Sequence, residues 1–327
     1  MSIKDEIQGP SGYLKKVRDE YMPDTKKMAS LAYEFYSKHS KEELTAEYVT
    51  ENADDVLKGL FLAETSIFEV KNNEIMYRVL PYYYSQIYGK LDSKYIETSK
   101  KIDELVDIYK KCKEADYSVE MFIDGVSKIT TPIIDTVSFS QKQSAKCRVG
   151  ETLQNHLASI FDICEVKYET QQQKVEGGTI MDFVIPSVAA IEEMPDQVIN
   201  IECQTTLKDR FRLTTGKSTD AKIKRYLATV TGAGIVTKRD INDFSVDKVK
   251  EIIIDNNVTL VVFADVKARI QNILNETKDK ITDGKSVNKA TITLEELEKL
   301  IKLSDKKIIT YSELIKRDIN SAKVYWD

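Results

Sequence analysis

Two short apolar runs, each built around a single acid, constrain this chain more than any other feature in it. Ile180-Met-Asp-Phe-Val-Ile185 is apolar and β-branched around Asp182, the pattern of a strand. A polar, proline-containing connection follows, and Val198-Ile-Asn-Ile-Glu-Cys203 then repeats the pattern around Glu202. Side chains in a strand repeat every two residues, so Glu202 and Gln204 share one face, while Cys203 points to the other and reads as core. Two neighbouring strands of this kind present Asp182 and Glu202 toward one point. The chain then changes character at once, to the charge-dense run Lys208-Asp-Arg-Phe-Arg212.

Two carboxylates and a nearby backbone carbonyl form a hard oxygen site suited to Mg²⁺, which keeps several waters and takes one or two carboxylates plus a phosphate oxygen. The basic run beside it is what a phosphodiester substrate needs. Together they point to metal-assisted hydrolysis, in which the ion polarises a phosphoryl oxygen, activates a water and steadies the leaving oxygen. The bland alternative is a pair of solvated strand-end acids with no role.

The surrounding residues favour the first reading. Gly178–Ser187 and Cys203–Arg212 resemble the PD-(D/E)XK restriction endonucleases, specifically the EcoRII C-terminal-domain family with its SsoII-type and NgoMIV-type relatives. The resemblance lies in MDFVIPS, in ECQTTLKDRFR, and in the upstream segment from Ser144 to Leu157. It covers about residues 138–300, and its most specific part is Thr-Thr-x-Lys-Asp-Arg-aromatic-Arg directly after a strand. It implies a restriction-endonuclease-like α/β core, a mixed central sheet flanked by helices. It also implies Mg²⁺-dependent, site-specific cleavage of double-stranded DNA by a homodimer.

The family pattern is altered in this chain. Gln204 stands at the catalytic lysine position, and Lys217 stands where a helical glutamate is usual. The upstream helical acid falls at Gln154, with Glu151 on the same helix one turn earlier. Glu202 adds an acid where relatives carry a small residue. The resulting expectation is that Asp182 and Glu202 bind metal, Gln204 orients water, and Lys217 and Glu151 complete the catalytic set. In related enzymes the basic-acidic-basic triplet reads G·C pairs, which assigns base readout to Lys208, Asp209 and Arg210. Arg or Lys donates to guanine and a carboxylate accepts from cytosine. Arg212 and Arg148 are assigned to DNA contact as well. A non-catalytic DNA-binding protein of the same fold, or a repair-type nuclease, is the alternative.

Composition sets the outer bounds. Of 327 residues, 42% are hydrophobic and 31% charged, a chain able to bury a full core. The net charge of −5 argues against a sequence-blind nucleic-acid coat. Cations are nonetheless concentrated locally, at Lys142, Lys146 and Arg148, at Lys208–Arg212, and at Lys217, Lys222, Lys224 and Arg225. The four cysteines form no C-x-x-C pair and the only histidines are His39 and His156, so zinc, disulfide and Cys/His chemistry are poorly supported. His156 reads as a core or helix-face residue. No apolar run reaches membrane-spanning length and the N-terminus lacks a signal-peptide core, so a cytoplasmic protein with no membrane partner and no nucleotide cofactor is expected.

Residues 1–135 read as a helical lobe that contacts DNA or a partner subunit, and 136–327 as the nuclease domain. The boundary is placed at Thr131–Asp135, where Pro132 predicts a helix stop. Pro81-Tyr-Tyr-Tyr84 also interrupts a helical pattern, with tyrosines suited to stacking on bases or, more commonly, to filling helix junctions. A helix is expected over Gly150–Asp162, another opening at Lys217, and capped helices starting at Thr293 and Thr310.

Overall fold

The computed structural model describes residues 2–9, 12–90, 94–114, 116–173, 180–205, 207, 222–233, 244–284 and 292–323. The chain forms two compact units, Met1–Met28 with Glu64–Arg148, and Ala29–Ala63 with Val149–Asp327. The segment Ala29–Ala63, early in sequence, therefore belongs to the unit that carries the sheet.

The helices before the sheet are α1 (Ile3–Gln8), α2 (Leu14–Tyr21), α3 (Thr25–His39), α4 (Ala46–Gln86), α5 (Ile96–Lys111) and α6 (Val119–Ile163). Neither proline ends its helix: Pro81 lies inside α4 and Pro132 inside α6. The stop expected at Thr131–Asp135 is therefore absent. Proline removes one N–H and crowds the preceding turn, and the helix runs on through it, with Ile129, Ile133 and Val137 buried on one side. Thr130 Oγ1 donates to Val126 O, Thr131 Oγ1 to Ser127 O and Thr136 Oγ1 to Pro132 O, at 2.9, 2.7 and 2.8 Å. The one non-helical residue inside α4 is Asn52.

In the first unit, Ile7, Leu14, Val17, Ile75, Val79, Ile133 and Val137 pack with Tyr13, Tyr83 and Tyr95 into one core. Glu6 is buried beneath α5 and accepts from the N–H groups of Glu97 and Thr98 at 2.9 and 2.8 Å. These are donors that a helix start leaves open. Tyr83 is fully buried and its hydroxyl donates to Tyr95 O at 2.8 Å. This tyrosine fills a helix junction, whereas Tyr84 is exposed and stacked on Tyr88.

The second unit carries one six-stranded mixed sheet. Its strands are β1 (Glu169–Gln173), β2 (Ile180–Ile185), β3 (Ile199–Gln204), β4 (Lys224–Thr229), β5 (Thr259–Val261) and β6 (Ile308–Ile309), in that spatial order. β1, β2 and β3 are antiparallel neighbours, and β3 through β6 run parallel. Between them lie α7 (Ala190–Glu193), α8 (Val246–Lys250), α9 (Ala264–Thr282) and α10 (Leu294–Lys307). After β6 come α11 (Tyr311–Glu313), a π-helical segment over Leu314–Ile319, and α12 (Asn320–Lys323). Both expected caps form, with capping boxes from Thr293 to Glu296 and from Thr310 to Glu313. The helix expected from Lys217 falls largely outside the described residues, and Lys224 and Arg225, its expected end, already belong to β4.

Strand alternation sorts the side chains of β2 and β3 onto two faces. Phe183, Ile185, Ile199, Ile201 and Cys203 join the main core, packed with Leu153, Leu157, Ile160 and Phe161 of α6. The Phe161 and Phe183 rings meet edge to face, 5.3 Å apart. Val184 and Val198 turn to a smaller cluster with Ala190 and Ile223. With both faces of the sheet covered, this is an α/β unit. His156 is fully buried against the Phe61 ring, as its helical position implies.

Candidate active site

The register of β2 on β3 pairs Phe183 with Ile201, Val184 with Asn200 and Ile185 with Ile199. One step further along the same antiparallel register sets Asp182 opposite Glu202. Residues directly opposite on antiparallel strands put their side chains on the same face, so the register sets the two acids on one face of the sheet. Glu202 is buried, at 6% exposure, and Gln204, two residues on, is half-buried.

Asp182 is held by two donors. The Gln154 amide on α6 donates to Oδ1 at 2.6 Å, and the Cys203 N–H donates to Oδ2 at 2.7 Å. A carboxylate has about four acceptor positions, so each oxygen keeps one for a further partner. Burial raises the pKa of Asp182, and the hydrogen bond from Cys203 opposes that rise. The Cys203 thiol, on the core face, is pushed up mainly by burial and then by the negative charges of Asp182 and Glu202. It is a core thiol and remains protonated near neutrality.

These residues suit a hard divalent ion. Asp182 and Glu202 lie on the same face of neighbouring strands, and Asp182, whose charged form its partial burial disfavours, gains from a cation at its open positions. Among the described residues no group of three or more His, Cys, Asp or Glu could hold a metal.

The other expected residues fall in different places. Glu151 is exposed on α6, one turn before Gln154, and it is Gln154 that reaches Asp182. Arg148, in the first unit, donates from Nη2 to the carbonyl of Pro23 at 2.6 Å. Lys208, Asp209, Arg210, Arg212 and Lys217 lie outside the described residues. Sequence reasoning missed Gln154 as the partner of Asp182, although the resemblance marked its position as that of the upstream acid. It also missed the hydrogen bond between Thr229, which reads as an ordinary strand residue, and Thr231, just past β4, which carries no signal of its own.

Comparison with known proteins places this geometry in context. The family model described as EcoRII C terminal matches residues 117–283, just over half of the chain. No curated protein sequence matches it. Among solved structures, the chain is similar to the restriction endonuclease PspGI in its substrate DNA complex, with a TM-score of 0.56 at 14% identity, covering 95% of this chain and 96% of that one. It is also similar to metal-depleted Ecl18kI in complex with uncleaved, modified DNA, with a TM-score of 0.55 at 17% identity, covering 96% and 94%. At these identities the likeness is one of fold, and the fold is that of the restriction endonucleases.

Proposed function

From the premise that this chain belongs to the EcoRII C-terminal family, we propose that it is a site-specific endonuclease, hydrolysing phosphodiester bonds of double-stranded DNA with Mg²⁺ at a short palindromic sequence. The observation that carries this reading is the placement of Asp182 and Glu202 on one face of the neighbouring strands β2 and β3, with Asp182 oriented from two sides. The reading includes a homodimer, because reading a palindrome calls for two-fold symmetry. It also includes a cytoplasmic protein with no membrane partner. No helix among the described residues is long and apolar enough to cross a membrane.

Asp182 and Glu202 would hold the ion, which when bound supplies charge stabilisation at the phosphoryl oxygen and an acidified water. Gln154 and the Cys203 N–H fix which way the Asp182 oxygens face. Gln204 takes the water-orienting position, since an amide both donates and accepts, but it can neither supply a proton nor neutralise phosphate charge. Lys217 is assigned the missing positive charge and Glu151 a supporting acid. Lys208, Asp209 and Arg210 would read base edges in the major groove. Arg212 and Arg148 would contact phosphate, which positions the duplex without specifying sequence. An arginine has five N–H donors, so Arg148 can serve a phosphate while holding Pro23.

A second reading, DNA binding without cleavage, is favoured by Gln204 at the lysine position. Incubating the purified chain with unmethylated phage DNA, with and without Mg²⁺, separates the two. Discrete fragments that depend on Mg²⁺, lost in Asp182→Ala while specific binding in Ca²⁺ persists, are the expected result. Cutting retained in Asp182→Ala would remove Asp182 from the metal site. Binding without cutting, in Mg²⁺ and in Mn²⁺, would establish the second reading.

A further inference from the structure

The hydrogen-bonded ladder between β3 and β4 ends at the pair Gln204–Thr229. Beyond that pair, side chains join the two segments. Thr231 Oγ1 donates to Thr205 O at 3.3 Å, and accepts from the Leu207 N–H at 3.1 Å and from Thr229 Oγ1 at 2.9 Å. The Thr231 N–H in turn donates to Thr229 Oγ1 at 3.1 Å. A hydroxyl offers one donor and two acceptor positions, so that of Thr231 is used completely. Thr229, Thr231 and Leu207 are all fully buried. From the other side, Lys248 Nζ on α8 donates to Leu207 O at 3.4 Å.

Both main-chain polar groups of Leu207 are thus held, one by Thr231 and one by Lys248. A valine at 231 would match the apolar company of Leu227, Ala228 and Val230, but it would leave the buried Leu207 N–H without this partner, which is costly. Leu207 is the residue directly before Lys208. Two buried threonines therefore hold the residue that directly precedes the charged run in sequence.

We propose that Thr231 is a positioning residue for sequence readout: its hydroxyl replaces the strand ladder past Gln204 and holds Leu207, the residue directly before Lys208 in sequence, and with it the discrimination between DNA sequences. The inference rests on the proposed reading of that triplet as base-contacting. Bidentate contact to a base edge demands a fixed donor geometry, and each such contact is worth roughly 1–3 kcal/mol of discrimination, about tenfold or more. Contacts to phosphate tolerate displacement far better. Loosening Leu207 should therefore reduce sequence preference while sparing general affinity.

The test begins by selecting duplexes from a random pool with the full wild-type chain in Ca²⁺. Affinity is then measured for the selected duplex and for a scrambled one of equal composition. Thr231→Val is expected to lower the preference for the selected duplex by about tenfold, through loss on that duplex alone. Thr231→Ser, which keeps the hydroxyl, should retain the preference, and Lys248→Met should lose part of it. Preference at the wild-type level in Thr231→Val, or equal losses on both duplexes, would overturn the proposal and leave Thr231 a purely structural residue. Should Thr231→Val fail to fold by circular dichroism, unchanged preference in Lys248→Met overturns it instead. A wild-type chain that selects no sequence removes the proposed function, and this inference falls with it. A wild-type chain that selects one, beside variants that keep the preference, removes this inference alone.

Discussion

Taking Asp182 out of water pushes its pKa up, and the Cys203 N–H only opposes that shift, so the folded chain carries a carboxylate that its own interior disfavours. Sites built for chemistry commonly hold groups that stability alone would not choose. Asp182→Asn removes the charge and keeps the shape. The Asn carbonyl can still accept from Cys203, and Gln154 can turn its amide to accept from the new NH₂ group. The expected result is a Tm higher by a few degrees at pH 7, together with loss of Mg²⁺-dependent cleavage. Differential scanning calorimetry checks the first, and a fall in Tm would show that the charge itself holds the site together. At this scale the pairing of Asp182 with Glu202 was legible, because two acids in strand-like runs must share a face once the strands are in register. The contact from Gln154 was not. It joins residues 28 positions apart, and helix periodicity fixes which face a residue lies on but not which strand that face meets.

The helices show where local sequence rules yield to packing. Pro132 reads as a boundary, yet it lies inside the 45-residue α6, where Ile129, Ile133 and Val137 around it are buried in packing that a helix stop would break. Proline in a helix interior costs about 3 kcal/mol relative to alanine, and a settled context recovers part of that. Pro132→Ala should therefore stabilise the chain by about 1–3 kcal/mol. Chemical denaturation would read the change, and destabilisation would mean that α6 needs its present course at that point. Where a side-chain signal acts within one turn, sequence sufficed: the caps at Thr293 and Thr310 stand where their Thr-x-x-Glu patterns put them. Glu296 gives this cap a pH signature. A hydrogen bond from Lys250, then the Thr293 N–H, lower its pKa from 4.5 to about 2. An acid depressed by folding adds stability that is present above its unfolded pKa and lost as pH falls through the folded one. Glu296→Gln should thus flatten the decline of stability between pH 4.5 and about 2 and leave the slope near neutrality unchanged. An acid titration followed by circular dichroism tests this, and an unaltered acid limb would mean that Glu296 does not contribute. The two-residue β6 was beyond sequence reading, since Ile308 and Ile309 become a strand only by pairing with Leu260 and Val261.

For the whole molecule, the governing contrast is between a net charge of −5 and an inferred polyanionic partner. A chain with 53 acids and 48 bases cannot hold DNA through its overall field. Binding must come from placed cations, which makes recognition short-ranged and the fit to one duplex decisive. One copy of the charged run spans only part of a palindrome, whereas two copies related by a two-fold axis would read both half-sites with identical contacts. The expected species in sedimentation is therefore twice the 37.3 kDa chain mass, with two chains per selected duplex and both strands cut. A single chain per duplex, nicking one strand, would be incompatible with palindromic reading. The site would then have to be asymmetric, because one set of base-reading side chains, approaching from one side, can specify only one strand orientation.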